Sequence, residues 1–257
     1  MSRLFVDGSE VFIDPQIVLF DKDGTLIDIH HYWSSMIRMR SSLIIKRYFS
    51  RSNDKDNMVF NLNDSMGIDS KTGRMKKDGP VGIKPRKFIV QVAAETVRRN
   101  GVSITDEEIE KIFVEVDEIT SYNMLPLLRL LPGVKDLLEK LKKCGVTSVI
   151  ASTDITSRVH IAMKTLRLDH FFDEIIGGDL VNKTKPEPDL ALKVIDSCGC
   201  DSSKAVVIGD HPVDILMGES ASAGLNIGVL TGLSGFSAFD GMNCRVVNDL
   251  TSIDMRC

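Results

Sequence analysis

The sequence predicts an α/β fold: a Rossmann-like parallel sheet, broken after its first strand by a helical insert. Two observations carry this. First, "QIVLF" is a continuous apolar run, the pattern of a strand buried on both faces of a parallel sheet. Second, from Leu131 onward short apolar strands alternate with helices of about ten residues, which is how parallel α/β sheets are wound.

In chain order, "LFVDGSEVFI" alternates around Asp7-Gly8 and reads as a short hairpin leading in. After "QIVLF" the texture changes, and residues 29–129 hold helix-like stretches with no comparable apolar strand. "YWSSMIRMRSSLIIKRYF" spaces its apolar residues as a helix does. "KPRKFIVQVAAETVRRNG" begins near a proline and stops at Gly101, a C-cap signal. "TDEEIEKIFVEV" opens with Thr105 and carries Glu108 three residues on, a capping box. The stretch "DSKTGRMKKDGPVG" is a loop rich in Gly, Lys and Asp. Beyond it, "PGVKDLLEKLKKCG", "SRVHIAMKTLRL", "PDLALKVIDSC" and "VDILMGESASA" read as helices. Between and after them "TSVIAS", "DEIIGG", "KAVVIGD" and "NIGVL" read as strands. The expected organisation is a core of residues 1–28 and 130–257 with the helical insert at 29–129.

Composition bounds the function. The chain has 257 residues, 43% hydrophobic and 26% charged, and a formal charge of −4. No basic field advertises nucleic acid or an anionic membrane. No apolar run approaches the ~20 residues a bilayer requires. The opening "MSRLFVDGSEVFID" has one Arg followed by acids and a turn, which is not a signal-peptide pattern. Five cysteines form no CxxC pair and no metal-ligand spacing, so reduced thiols in a cytoplasmic protein are expected, and zinc is not.

Ligands of open α/β sheets bind at the carboxyl ends of the strands. Standing there are Asp21, Asp23, Gly24 and Thr25 after the first strand, and Ser152, Thr153 and Asp154 after "TSVIA". Lys183 and Lys185 follow in "NKTKPEPD", and Asp210, His211 and Asp214 in "GDHPVD". Acids from two strand ends, a hydroxyl from a third and a loop lysine make an inventory for a divalent cation and a phosphate. Magnesium takes oxygen ligands, typically one or two carboxylates with waters and substrate phosphate. A carboxylate can attack phosphorus directly, and a second one nearby can move the proton. Taken singly, each segment has a plainer reading. Asp-Lys-Asp-Gly is a common turn, Ser-Thr-Asp and "GDHPVD" are helix-cap chemistry, and Lys-Pro is a solvated loop. Four such accidents at successive strand ends are less economical than one site.

The four segments resemble the four motifs of the haloacid dehalogenase superfamily. "VLFDKDGTLID" matches the apolar strand ending Asp-x-Asp-Gly-Thr, and "VIAST" the strand ending in Ser or Thr. "KTKPEPD" matches the Lys-Pro motif and "VVIGDHPVDI" the closing Gly-Asp-x-x-x-Asp. The connecting "LPGVKDLLEKLKKCGV" and "DHFFDEIIGGD" resemble phosphoglycolate-phosphatase-like members. The match covers residues 16–28 and about 130–232; the insert corresponds in position and helical character to a type-one cap domain.

The resemblance implies Asp21 as nucleophile and Asp23 as acid/base. It implies Ser152, Thr153 and Lys185 as phosphate-binding, and Mg2+ held by Asp21, Asp23 (through its carbonyl), Asp210 and Asp214. Lys183 remains a stand-in for Lys185. The expected activity is a magnesium-dependent phosphatase acting on a small-molecule phosphate ester, phosphoglycolate-like or a sugar phosphate. The alternatives are a phosphomutase of the β-phosphoglucomutase type and a non-catalytic binding module. The expected assembly is a monomer or homodimer without nucleic-acid or membrane partners. His30, His31, Tyr32 and Trp33 are candidates for a hinge or substrate rim, or else packing of the cap. "GRMKKDGPVGIKPRK" could meet an anionic substrate tail or be a solvated basic loop. Two departures from the family pattern stand out. His211 occupies a position where Ser or Thr is frequent, and Lys22 one that is usually apolar.

Overall fold

The computed structural model describes residues 1–81, 84 and 86–257. Its chain forms two compact units, one of residues 1–28 and 128–257, the other of residues 29–127.

The first unit is built on a six-stranded sheet. Its strands are β3 (Ile17–Phe20), β4 (Thr147–Ala151), β5 (Glu174–Ile176), β6 (Ala205–Gly209), β7 (Leu225–Val229) and β8 (Arg245–Val247). They lie in the order β5-β4-β3-β6-β7-β8, and every neighbouring pair is parallel. All four residues of β3 are buried, as its unbroken apolar run requires of a strand covered on both faces. Around it are α5 (Val134–Lys143), α6 (Thr156–Thr165), α7 (Asp189–Ser197) and α8 (Pro212–Ser220). One core cluster packs Ile17 and Leu19 of β3 with Val149, Val207, Leu190, Val194 and Met217.

Strand order places the chemistry. The sheet grows outward from β3 in both directions, to β4 on one side and β6 on the other. Phe20 is level with Ile150 and with Ile208, so the residues that follow these three strands leave the sheet side by side.

A smaller antiparallel sheet joins β1 (Arg3–Val6), β2 (Ser9–Ile13) and β9 (Ile253–Arg256) in the order β2-β1-β9. The hairpin read from Asp7-Gly8 is present, with positive φ at both turn residues. Strands β8 and β9 were not legible in the sequence. One reduced-thiol expectation is corrected here: Cys144, at the end of α5, forms a disulfide with Cys257, which follows β9. Their separation of 113 residues hid a pairing made by β9 packing beside α5, with the two Cα atoms 5.5 Å apart. Cys198, Cys200 and Cys244 are free thiols.

The second unit consists of α1 (Ile29–Tyr48), α2 (Lys55–Ser65), α3 (Arg86–Arg99) and α4 (Asp106–Tyr122). The capping box of α4 forms as read, Thr105 Oγ1 accepting from Glu108 N–H while Glu108 accepts from Thr105 N–H. Helix α2 was missed, because "KDNMVFNLNDS" places a single buried residue, Leu62, among polar ones. The buried Arg40 guanidinium lies over the Phe113 ring at 4.2 Å and donates to Asp117 at 3.1 Å. Tyr32 is buried edge-on against Trp33, which bears out the packing reading for that ring. Within the basic loop, Lys76 pairs with Asp64 at 2.8 Å. Gly82, Ile83 and Pro85 of that loop, with the proline start expected for α3, lie outside the described residues. Among the described residues no helix is long and apolar enough to cross a membrane.

Candidate active site

The first site residues emerge where β3 ends. Asp21 N–H still donates to Ile208 of β6, so its backbone belongs to the sheet while its side chain stands at the edge. The chain then turns tightly. Leu26 and Ile27 N–H both donate to Lys22 carbonyl, Gly24 N–H donates to Ile27 carbonyl, and Gly24 has φ +95°. Only glycine takes that φ without strain. A Cβ on Gly24 would also lie 2.5 Å from Asp210 Cγ.

Asp21, Asp210 and Asp214 converge, each offering an oxygen within 4.8 Å of the others. Lys185 joins them from the loop after β5, its Nζ 2.6 Å from Asp21 Oδ1 and 2.6 Å from Asp214 Oδ1. Lys185 precedes Pro186 across a cis peptide bond. Its rival Lys183 is exposed and 4.0 Å from Glu187, so Lys185 alone of the two reaches the cluster.

The electrostatics follow from burial. Taking carboxylates out of water pushes the Asp21 carboxyl up, against the pull of Lys185; the Asp210 carboxyl is driven well up by burial and by Asp21 and Asp214. Burial lowers the Lys185 ammonium, but Asp21 and Asp214 outweigh it and hold the lysine firmly protonated. Three carboxylates thus face one ammonium. The deficit of positive charge, and a donor set of oxygens alone, fit a hard divalent cation such as magnesium.

Asp23 stands apart. Its carboxylate is not one of the three that converge; Oδ1 lies 2.9 Å from Lys22 Nζ. The metal-ligand expectation for Asp23 therefore rests on its carbonyl and not on its side chain. Burial pushes its carboxyl up, Lys22 pulls it down, and Asp154 and Asp21 push it up again.

Ser152 is buried at the end of β4, its N–H donating to Ile176 and its Oγ accepting from Asp154 N–H at 3.2 Å. Thr153 is exposed in the same loop. Asp214 is also a capping residue: it accepts from His211 N–H at 3.0 Å, while His211 Nδ1 accepts from Val213 N–H at 3.3 Å. His211 therefore does at α8 the N-capping that Ser or Thr does elsewhere. Its half-buried ring is pushed toward neutrality by desolvation.

The loop after β7 was missed. A Cβ on Gly232 would lie 1.6 Å from Asp210 Oδ2, Leu233 N–H donates to that oxygen at 3.3 Å, and Thr231 hydroxyl donates to Gly24 carbonyl at 2.5 Å. The only signal was the glycine of "VLTGLSG" directly after an apolar strand.

The family model of the haloacid dehalogenase-like hydrolases matches residues 15–222. The chain belongs to this family. All the strand-end residues gathered here fall inside the matched stretch, apart from the Thr231–Leu233 loop of this haloacid dehalogenase-like hydrolase. It is 24% identical over 238 residues to a Dickeya dadantii protein named "Probable phosphatase IndB", covering 92% of this chain and 90% of that one. It is 29% identical over 123 residues to the phosphoglycolate phosphatase of Mannheimia succiniciproducens, a match spanning 48% of this chain and 55%, about half, of the relative. A crystal structure described as a predicted phosphoglycolate phosphatase from Haemophilus somnus superposes with a TM-score of 0.67 at 18% identity, covering 93% of this chain and 96% of that one. That likeness concerns the fold.

Proposed function

We propose that the protein is a magnesium-dependent phosphatase that hydrolyses a small-molecule phosphomonoester through an aspartyl-phosphate at Asp21. The observation that carries this reading is the buried cluster of Asp21, Asp210 and Asp214 around the single ammonium of Lys185. Family membership and relatives named as phosphatases support it, and favour it over the phosphomutase.

In this reading Asp21 supplies the attacking oxygen. Lys185 and Ser152 bind phosphoryl oxygens, and donors fixed before reaction are worth most in a buried site. Asp23, acting as the acid, gives a proton to the ester oxygen as the phosphorus–oxygen bond breaks. It then takes a proton from the water that attacks phosphorus and frees Asp21. Magnesium, when bound by Asp21, Asp210, Asp214 and the Asp23 carbonyl, supplies charge neutralisation between nucleophile and phosphate. The helical unit, inserted in sequence between the first and second motifs, is proposed to serve as the cap that selects the ester.

The test is phosphate release from a panel of small esters, including phosphoglycolate, hexose and pentose phosphates, nucleotides and p-nitrophenyl phosphate, with magnesium and with EDTA. Magnesium-dependent release that Asp21→Asn abolishes is the expected result. Folded protein that releases nothing from any ester would overturn the reading.

A further inference from the structure

Lys22 is wholly buried, and few groups are costlier to bury than a lysine ammonium. Its Nζ lies between two carboxylates, 2.9 Å from Asp23 Oδ1 and 3.0 Å from Asp154 Oδ2. At its other end the Lys22 carbonyl accepts from both Leu26 and Ile27 N–H at 3.0 Å. The side chain is therefore anchored at backbone and tip.

Asp154 is itself held on every side. Its Oδ1 accepts from Ile155 N–H at 2.8 Å and pairs with Arg158 at 3.4 Å. Its N–H donates to Ser152 Oγ, and its carbonyl accepts from Gly178 N–H at 2.9 Å. A Cβ on Gly177 would lie 2.4 Å from that carbonyl, so the β5 loop closes tightly on it. Through Lys22 this fixed carboxylate reaches across to Asp23.

A buried ion pair is poor evidence for stability, because well-packed apolar residues of the same volume do as well or better. The charge at position 22 is better explained by what it holds. The geometry points to Lys22 as a positioning residue for Asp23: the ammonium ties the proton-carrying carboxylate to the loop after β4 and fixes where its proton is given and taken.

This inference rests on the proposed phosphatase reading and makes a demand on its second half. With p-nitrophenyl phosphate the leaving group departs without a proton, so Asp21 forms its bond to phosphorus and nitrophenolate leaves whatever Asp23 does. Hydrolysis of phospho-Asp21 is different. A water proton must pass to Asp23 as the water oxygen bonds phosphorus and the Asp21 oxygen–phosphorus bond breaks. A misplaced Asp23 stalls that step alone.

The experiment compares wild type, Lys22→Met and Asp154→Asn on p-nitrophenyl phosphate with magnesium, by rapid-mix burst and steady state. Phosphoenzyme is quantified after acid quench, and folding is checked by circular dichroism. A misplacement of about 1 Å can cost about a hundredfold in rate. Lys22→Met should therefore show a nitrophenolate burst, keep kcat/KM, lose kcat and KM together by about a hundredfold, and accumulate phosphoenzyme. Asp154→Asn keeps the shape and frees the anchor; it should show the same pattern at about tenfold. Folded Lys22→Met with wild-type kcat, or with raised KM and no accumulated phosphoenzyme, would overturn the inference. If Lys22→Met does not fold, Asp154→Asn with wild-type kcat overturns it instead. An inactive wild type would overturn the phosphatase reading itself, whereas an active wild type beside a fully active Lys22→Met removes only the role of Lys22.

Discussion

Gly232→Ala adds one methyl group beside Asp210, and the structure says how badly it fits. The new Cβ would lie 1.6 Å from Asp210 Oδ2, 2.2 Å from Cγ and 2.5 Å from Cβ. A rotamer change can swing the first two atoms away, but Asp210 Cβ moves only with its backbone. Gly24 lies against the same carboxylate, an added Cβ there falling 2.5 Å from Cγ, so the room for that swing is small. Non-bonded carbons rest about 3.5–4.0 Å apart, so the loop after β7 and the loop after β6 must separate by about 1 Å or more. Overpacking of this kind costs about 1–3 kcal/mol of stability. Because Asp210 is one of the three converging carboxylates, the same displacement should lower kcat about a hundredfold and raise the magnesium concentration for half-maximal activity.

The assay is steady-state turnover against magnesium concentration, with a thermal melt on the same sample. Gly241→Ala is the control. Its φ of +79° strains any side chain, yet a Cβ there meets nothing within 4 Å. It should lower stability by about 1 kcal/mol and leave turnover and magnesium dependence unchanged. Gly232→Ala with wild-type kcat and wild-type half-saturation would refute the placement of Asp210 against this loop as a determinant of the site.

Two further outcomes follow from the charges. Lys185→Met leaves the buried Asp21 and Asp214 carboxylates without their shared cation, and removing one partner of a buried pair costs about 3–5 kcal/mol. Urea unfolding should show that loss in EDTA and a smaller one in magnesium; equal losses in both would count against cation binding at the cluster. Asp179 accepts from Thr156 N–H and Oγ1, each at 2.7 Å, and these bonds hold its carboxyl below the usual range in the folded state. A depressed carboxyl contributes stability above its unfolded value, near 3.8, and loses it as pH falls through the lower folded value. The urea midpoints of wild type and Asp179→Asn should differ at pH 7 and draw together in acid; a gap that persists unchanged below pH 3 would refute this.

What could be read from the sequence is what a parallel sheet enforces. Asp21, Ser152 and Asp210 are far apart in the chain, yet each follows an apolar strand, and adjacent parallel strands deliver their ends to one edge. Lys185 was legible for another reason, the proline behind it in a recognisable motif. The same proline favoured Lys185 over Lys183; both stand in one polar loop, and in the structure Lys185 is the one of the two that turns inward. Where local pattern failed, the stabilising partner lay in another part of the chain. Helix α2 shows too few apolar residues to betray itself, β8 and β9 are three and four residues long, and Cys257 meets Cys144 only because β9 runs beside α5.

Lys22 shows where the boundary falls between these two kinds of information. As a residue type it was visible at once, a lysine in a position that is usually apolar. Its meaning was not, because the same lysine could have pointed to solvent, to phosphate or into the core. Burial decides among these, and the 132-residue separation from Asp154 is why no local pattern could. A solvent-facing lysine would carry no argument, and one aimed at phosphate would duplicate Lys185. Wholly buried between Asp23 and a carboxylate that also accepts from Ile155 N–H and pairs with Arg158, it limits where Asp23 can be. The departure from the family pattern thus falls on the residue that must move a proton in both halves of the proposed reaction. There, small displacements change rate far more than they change stability.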